Sequence, residues 1–143
     1  MARVESLRIL SRHLSRDRDR CAEAVATAIT RSVTARNEVL TQASLLASEE
    51  AAAGEAGYSL ASFEGWRQPE RRRLQNLRTC QAEAHRCESA ARADLTRAVS
   101  RAHAVEQAIM VIEQRDRRSA QQRMQRDIDD LASGRFIRGN GPW

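Results

Sequence analysis

Lysine is absent from the chain, and proline and glycine are scarce. Two prolines and six glycines occur in 143 residues, and no glycine lies between residues 1 and 53 or between 66 and 133. A Gly-rich phosphate-cradling loop has no place in either stretch. Aromatics are 3% of the chain, too few for a thick globular core. No apolar run approaches the ~20 residues of a membrane span, and the first twenty residues are too charged for a signal peptide. Three cysteines, Cys21, Cys80 and Cys87, are an odd count without CxxC spacing. They read as small apolar residues on or beside apolar faces, in neither a zinc cage nor a disulfide framework. Reduced thiols and no leader suggest the cytoplasm.

What remains is helix-forming: alanine, arginine, glutamate and glutamine dominate. All 24 basic residues are arginine, against 19 acidic ones, for a net charge of +5. A GC-rich genome explains arginine usage without a function. A surface for acidic partners is the functional alternative. The signs are interleaved, as in Arg16-Asp17-Arg18-Asp19-Arg20. That pattern is salt-bridge lacing more than a phosphate-binding stripe.

Order is clearest from Pro69 to Ala132. Apolar residues recur there at alternating steps of three and four: Leu74, Leu77, Ala84, Ala91, Leu95, Ala98, Ala102, Val105, Ile109 and Ile112. One heptad family runs through 74, 81, 88, 95, 102 and 109, the other through 77, 84, 91, 98, 105 and 112. After Ile112 the pattern slips to Ala120, Met124, Ile128 and Leu131, a stutter in a strongly charged stretch. Residues 1–53 read as an earlier long helix. Its stripe, through Val4, Leu7, Leu10, Leu14, Cys21, Val25, Ile29, Val33, Val39, Leu40, Ala43, Leu46 and Ala53, wanders by a residue between turns. Arg16 to Arg20 interrupt it, so the helix is expected to be exposed all round there. Between the helices, 54–68 reads as a turn, with Gly54 and Gly57 stopping the first and Pro69 starting the second. It carries Tyr58, Phe63 and Trp66, which either staple the turn or form a docking tip. Residues 133–143, with three glycines and a proline, read as a flexible tail. The expected fold is all-α, one domain, an antiparallel two-helix coiled-coil hairpin forming a rod.

No catalytic constellation is evident. His13, His85 and His103 lie far apart along such a rod, and His13 with Asp17 lacks a third metal ligand. The reading is therefore a non-enzyme, with no catalytic, metal or cofactor site.

The architecture resembles the stalk-protein family of type III export, FliJ in flagella and SctO (YscO or HrpO) in injectisomes. The resemblance covers nearly the full chain. It is carried by the start Val4-Glu5-Ser6-Leu7-Arg8-Ile9-Leu10, the turn Phe63-Glu64-Gly65-Trp66-Arg67-Gln68, and the second helix Leu74, Leu77, Ala90-Ala91-Arg92-Ala93-Asp94-Leu95, Ala98, Val105-Glu106 and Ile109. The lack of lysine, the Ala-rich middle and the Gly-rich tail depart from the pattern and leave flagellum versus injectisome open.

The resemblance implies a coupling protein at the cytoplasmic face of a bacterial inner-membrane export machine, touching the membrane only through that apparatus. The terminal end would enter the export ATPase ring, through Ser6 to Arg20 and Arg115 to Leu131. Its candidate residues there are Arg12, Arg16, Arg18, Arg115, Arg117, Arg118 and Arg123. The hairpin tip, with Tyr58, Leu60, Phe63, Trp66 and Leu74, would meet the export gate protein, and export chaperones are further partners. Two other readings stand beside it. One is a generic coiled-coil adaptor or self-associating scaffold, whose second apolar edge (Val25, Ile29, Val33, Leu40) could pair hairpins. The other is a basic nucleic-acid-binding rod, suggested by Arg71-Arg72-Arg73. The nearly equal acidic count and the lack of interleaved aromatics argue against it, so no nucleic acid is expected.

Overall fold

The computed structural model describes residues 2–57 and 60–139. Two α-helices account for nearly all of them: α1, Ala2–Ala56, and α2, Leu60–Gly139. They pack against each other as a helical hairpin, and no described residue is in a strand.

The helix bounds correct the sequence reading at three places. Gly54 lies within α1, and Gly57 alone ends it. Gly57 has φ +66°, the left-handed conformation in which glycine terminates a helix without a Cβ penalty. The connection is therefore far shorter than 54–68, because Phe63, Gly65 and Trp66 already belong to α2. Pro69 is inside α2 rather than at its start. An interior proline removes a donor to the carbonyl four residues back and crowds it, at a cost of ~3 kcal/mol or more. Contacts of Phe63, Trp66 and Arg67 support the turns before it. At the other end, α2 continues through Gly134 to Gly139. Residues 133–139, expected to be a flexible tail, are helical, and 140–143 lie outside the described residues. The intervening Arg135-Phe136-Ile137-Arg138 are compatible with a helix, and each glycine opposes it by only ~1 kcal/mol.

The contacts divide the chain into two compact units, Met1–Ser15 with Ser100–Trp143, and Arg16–Val99. In the unit 16–99, α2 turns inward at 67, 70, 74, 77, 81, 84, 88, 91, 95 and 98, all buried or half-buried. This is the seven-residue repeat expected from the sequence. On α1 the inward positions are 18, 21, 25, 28, 32, 35, 39, 42, 46 and 53. That repeat holds over most of its length, with Asp17, Ile29, Ala43 and Glu50 half-buried beside it and Glu49 exposed. Val25, Ala28 and Leu46 of α1 and Leu74 and Ala98 of α2 are the buried apolar members of this seam. Polar residues hold several seam positions. Arg18 is half-buried, so the Arg16–Arg20 stretch is not exposed all round. Gln42, 5% exposed, donates to Glu70 at 2.5 Å. A polar pair at one level of an apolar seam resists sliding, because any other register would leave it without its partner.

Glu88 is another polar seam residue. It accepts from Arg92 at 2.9 and 3.1 Å. The Arg92 contact, followed by a hydrogen bond with Ser32, holds the Glu88 carboxyl below its ordinary value of 4.5. A depressed carboxylate stabilises the fold above its unfolded value and loses that contribution as pH falls through the folded one. Glu88→Gln should therefore flatten the loss of melting temperature on acidification below about pH 4.5. The difference should be small, since the Arg92 side chain is 58% exposed. Thermal melts of both proteins between neutral and acid pH check it, and identical acid limbs would contradict it.

In the unit formed by 1–15 and 100–143, α1 turns Val4, Leu7, Ser11 and Leu14 inward. From α2 come buried Ala102 and half-buried Val105, Ile109 and Ile112. Arg8 closes the edge of this seam on Glu113 at 2.9 Å. Beyond Glu113 the paired seam stops. Every residue from 114 to 133 is exposed.

Candidate functional site

Two places carry chemistry beyond seam packing, and each lies within one unit. The first is the start of α2 with the end of α1. Helical spacing puts Phe63 and Trp66 on adjacent turns, with ring centroids 5.9 Å apart and planes inclined by 27°. Arg67 lies over the Phe63 ring, 5.8 Å from its centroid. Its guanidinium is 3.3 Å from Glu64 and 3.8 Å from Glu50. Arg71 approaches the same Glu50 at 3.4 Å. Two arginines on α2 thus converge on one carboxylate of α1 and bind the two helices together here. Beside this cluster is an open groove of about 430 Å³, floored by Ala52, Ala53 and Ala56 and walled by Phe63 and Trp66. The small alanine side chains of α1 leave the space, and the aromatic rings give it an apolar wall.

Of the tip residues expected from the sequence, Phe63 and Trp66 come together here. Trp66 is 38% exposed, and Phe63 is half-buried. Leu74 does not belong with them. It is 8% exposed and packed in the seam, so its assignment as a docking residue is corrected to a core role. Tyr58 and the side chain of Leu60 lie outside the described residues. Sequence reasoning missed Arg67, Arg71 and Glu50. The only signal for them was the spacing of Arg67 from Phe63 and of Arg71 from Arg67, each i, i+4.

The second place is α2 beyond its paired seam. Arg115, Arg117, Arg118 and Arg123 are all exposed, as is Arg12 on α1. Arg117 reaches Glu113 only at 4.0 Å, with 80% of its side chain in solvent. A cleft of about 440 Å³ lies between Val4, Glu5 and Arg8 of α1 and Glu113, Asp116 and Arg117 of α2. Exposed ion pairs such as these add little stability, so the arginines remain available to a partner. Arg16 and Arg18 belong to the other unit. Arg16 is exposed, whereas Arg18 is half-buried at a seam position and 3.6 Å from Asp19. The same stretch of α2 exposes Met124 at 66%, Ile128 at 48% and Leu131 at 69%, the apolar residues of the expected stutter.

The three histidines are exposed. Among the described residues, no group of three His, Cys, Asp or Glu side chains is placed to hold a metal ion. Nor is any helix, among the same residues, long and apolar enough to cross a membrane. No family model matches the chain, and neither a curated protein nor a solved structure matches it.

Proposed function

We propose that the chain is a non-enzymatic stalk and coupling protein of a type III protein export apparatus, linking an export ATPase ring to the export gate and escorting export chaperones. One observation supports it most. The hairpin seam of α2 ends at Ile112, and the helix continues for twenty exposed residues bearing Arg115, Arg117, Arg118 and Arg123. A charged helical extension of this kind can meet a ring of acidic or polar surfaces through its arginines, with Met124, Ile128 and Leu131 as a narrow apolar stripe beside them. The aromatic groove beside Phe63 and Trp66 offers the complementary means of gripping a second protein. In this reading the protein works in the cytoplasm, and no cofactor takes part.

Joint replacement of Arg115, Arg117 and Arg118 by Glu tests the ring assignment. All three are exposed, so the helical circular dichroism signal should be unchanged. Affinity for the cognate export ATPase should fall roughly ten- to hundredfold, at up to about 1 kcal/mol per inverted contact. Wild-type affinity in the triple variant would remove the ring assignment from this end of α2.

A further inference from the structure

α1 carries a second heptad stripe that the hairpin covers only in part, at half-buried Ile29 and Ala43. It runs from Ala22 to Ala47 on the flank of the seam, at alternating steps of four and three. Val33 and Leu40 near its middle are 52% and 56% exposed. The α2 side of the adjoining groove is polar, lined by Gln81, His85 and Glu88. The stripe is therefore not completed within its own unit. Its surroundings are also poor in charge. Glu23, Arg31, Arg36 and Glu38 are the four charged residues in the 27 from Ala22 to Ser48, whereas 30% of the whole chain is charged.

We infer that this stripe is the interface for a second copy of the chain, with the two α1 helices antiparallel about a two-fold axis between Thr34 and Ala35. The sequence of side-chain sizes carries the assignment. In an antiparallel pair with that axis, each position i faces position 69 − i of the other copy. Ala22 then faces Ala47, Ala26 faces Ala43, Ile29 faces Leu40, and Val33 faces Arg36. Small meets small at both ends, and large meets large in the middle. A two-fold interface requires this self-complementarity, since one patch must serve both sides. A stripe selected for an unrelated helix has no reason to read the same from both ends.

Charge agrees with the register. Arg36 is the one charged member of the stripe. The axis sets it against Val33 of the other copy rather than against its own symmetry mate, so its aliphatic stem covers that valine with the guanidinium at the edge. The size of the patch sets the strength. A face about 39 Å long and about 10 Å wide is on the order of 400 Å² per copy, about 800 Å² in total, which is below the ~1,200 Å² of a stable interface and in the range of weak, transient ones. The dimer is accordingly reversible and concentration-dependent. This inference is independent of the export reading, because its test involves no export component.

Sedimentation of the full chain across the micromolar range should show the mass rise from 16.1 kDa toward twice that value. Val33→Glu and Leu40→Glu should each hold it at 16.1 kDa with helicity unchanged, since both side chains already face solvent. A wild-type chain that stays monomeric, or a dimer indifferent to both substitutions, overturns the interface. Orientation is read by oxidation in a background with Cys21, Cys80 and Cys87 replaced by Ala. A variant carrying both Ala26→Cys and Ala43→Cys should cross-link between copies. Ala26→Cys alone should not, because its symmetry mate is about 25 Å away along the axis, against the ~7 Å limit for a disulfide. Cross-linking by the single variant, or none by the double one, overturns the antiparallel register.

Discussion

Ala98→Glu will unfold much of the hairpin. Ala98 is 1% exposed, lower than any other core residue in the structure. Alanines at the seam allow close approach of the helices, and there is no space beside Ala98 for a longer side chain. Overpacking costs about 1–3 kcal/mol, and an unpaired buried carboxylate costs about 3–5 kcal/mol if it cannot escape to water. Single domains are stable by only about 5–15 kcal/mol, and a hairpin with six buried apolar residues among those described has little in reserve. The far-ultraviolet circular dichroism melt should move down by tens of degrees or lose its transition. Ala93→Glu is the control. It adds the same group at an exposed position of the same helix and should change stability by less than about 0.5 kcal/mol. Equal melts for the two variants would mean that the helices do not pair at Ala98.

Leu74→Ala and Trp66→Ala should separate core from surface at the aromatic end. Leu74 is buried in the seam, so truncation removes apolar contacts and leaves a cavity, costing about 2–5 kcal/mol. Trp66 is partly exposed and stacks on Phe63, a contact worth about 0.5–1.5 kcal/mol. Its loss should barely move the melt. If the groove it walls is the grip for an export gate protein, Trp66→Ala should weaken that binding by at least ~2 kcal/mol, a factor of about thirty. Leu74→Ala, where it remains folded, should leave that affinity near wild type. The reverse pattern, stability lost at Trp66 and binding lost at Leu74, would exchange the roles given to the two side chains.

The contrast between the two helices shows what the sequence made legible. On α2 the seam residues from Leu74 to Ile112 are mostly apolar, so their seven-residue period is visible without coordinates. On α1 the same period holds, but Ser11, Arg18, Ser32 and Gln42 occupy inward positions. Exposed Leu10, Val33, Leu40 and Leu45 lie off the seam. A reading by hydrophobicity finds most of the seam, Val4, Leu7, Leu14, Cys21, Val25, Val39 and Leu46 among it, but mixes in exposed Leu10, Val33 and Leu40 and so finds a wandering stripe. The polar seam residues are tolerated because some are partnered, as Gln42 is with Glu70. The connection was misjudged for a related reason. Gly54, Gly65 and Pro69 are helix-breaking by local preference, yet each lies inside a helix at an exposed position. Arg67 and Arg71 on Glu50 hold the helix through Pro69, and these ion pairs have no hydrophobic signature. At the candidate sites, residue type pointed to Phe63, Trp66 and the arginines beyond Ile112. Burial, which residue type does not specify, moved Leu74 from the surface to the core.

The graded distances between paired residues give the hairpin a direction of assembly. Glu50 and Arg71 are 21 residues apart in sequence, Gln42 and Glu70 are 28 apart, and Arg8 and Glu113 are 105 apart. Closing the first of these loops is the least demanding, and each contact made shortens the loop that the next must close. Contacts near Gly57 are therefore the least costly to close, and that between Arg8 and Glu113 the most. Until α2 has been synthesised past Glu113, the first turns of α1 present Val4, Leu7 and Leu14 without cover.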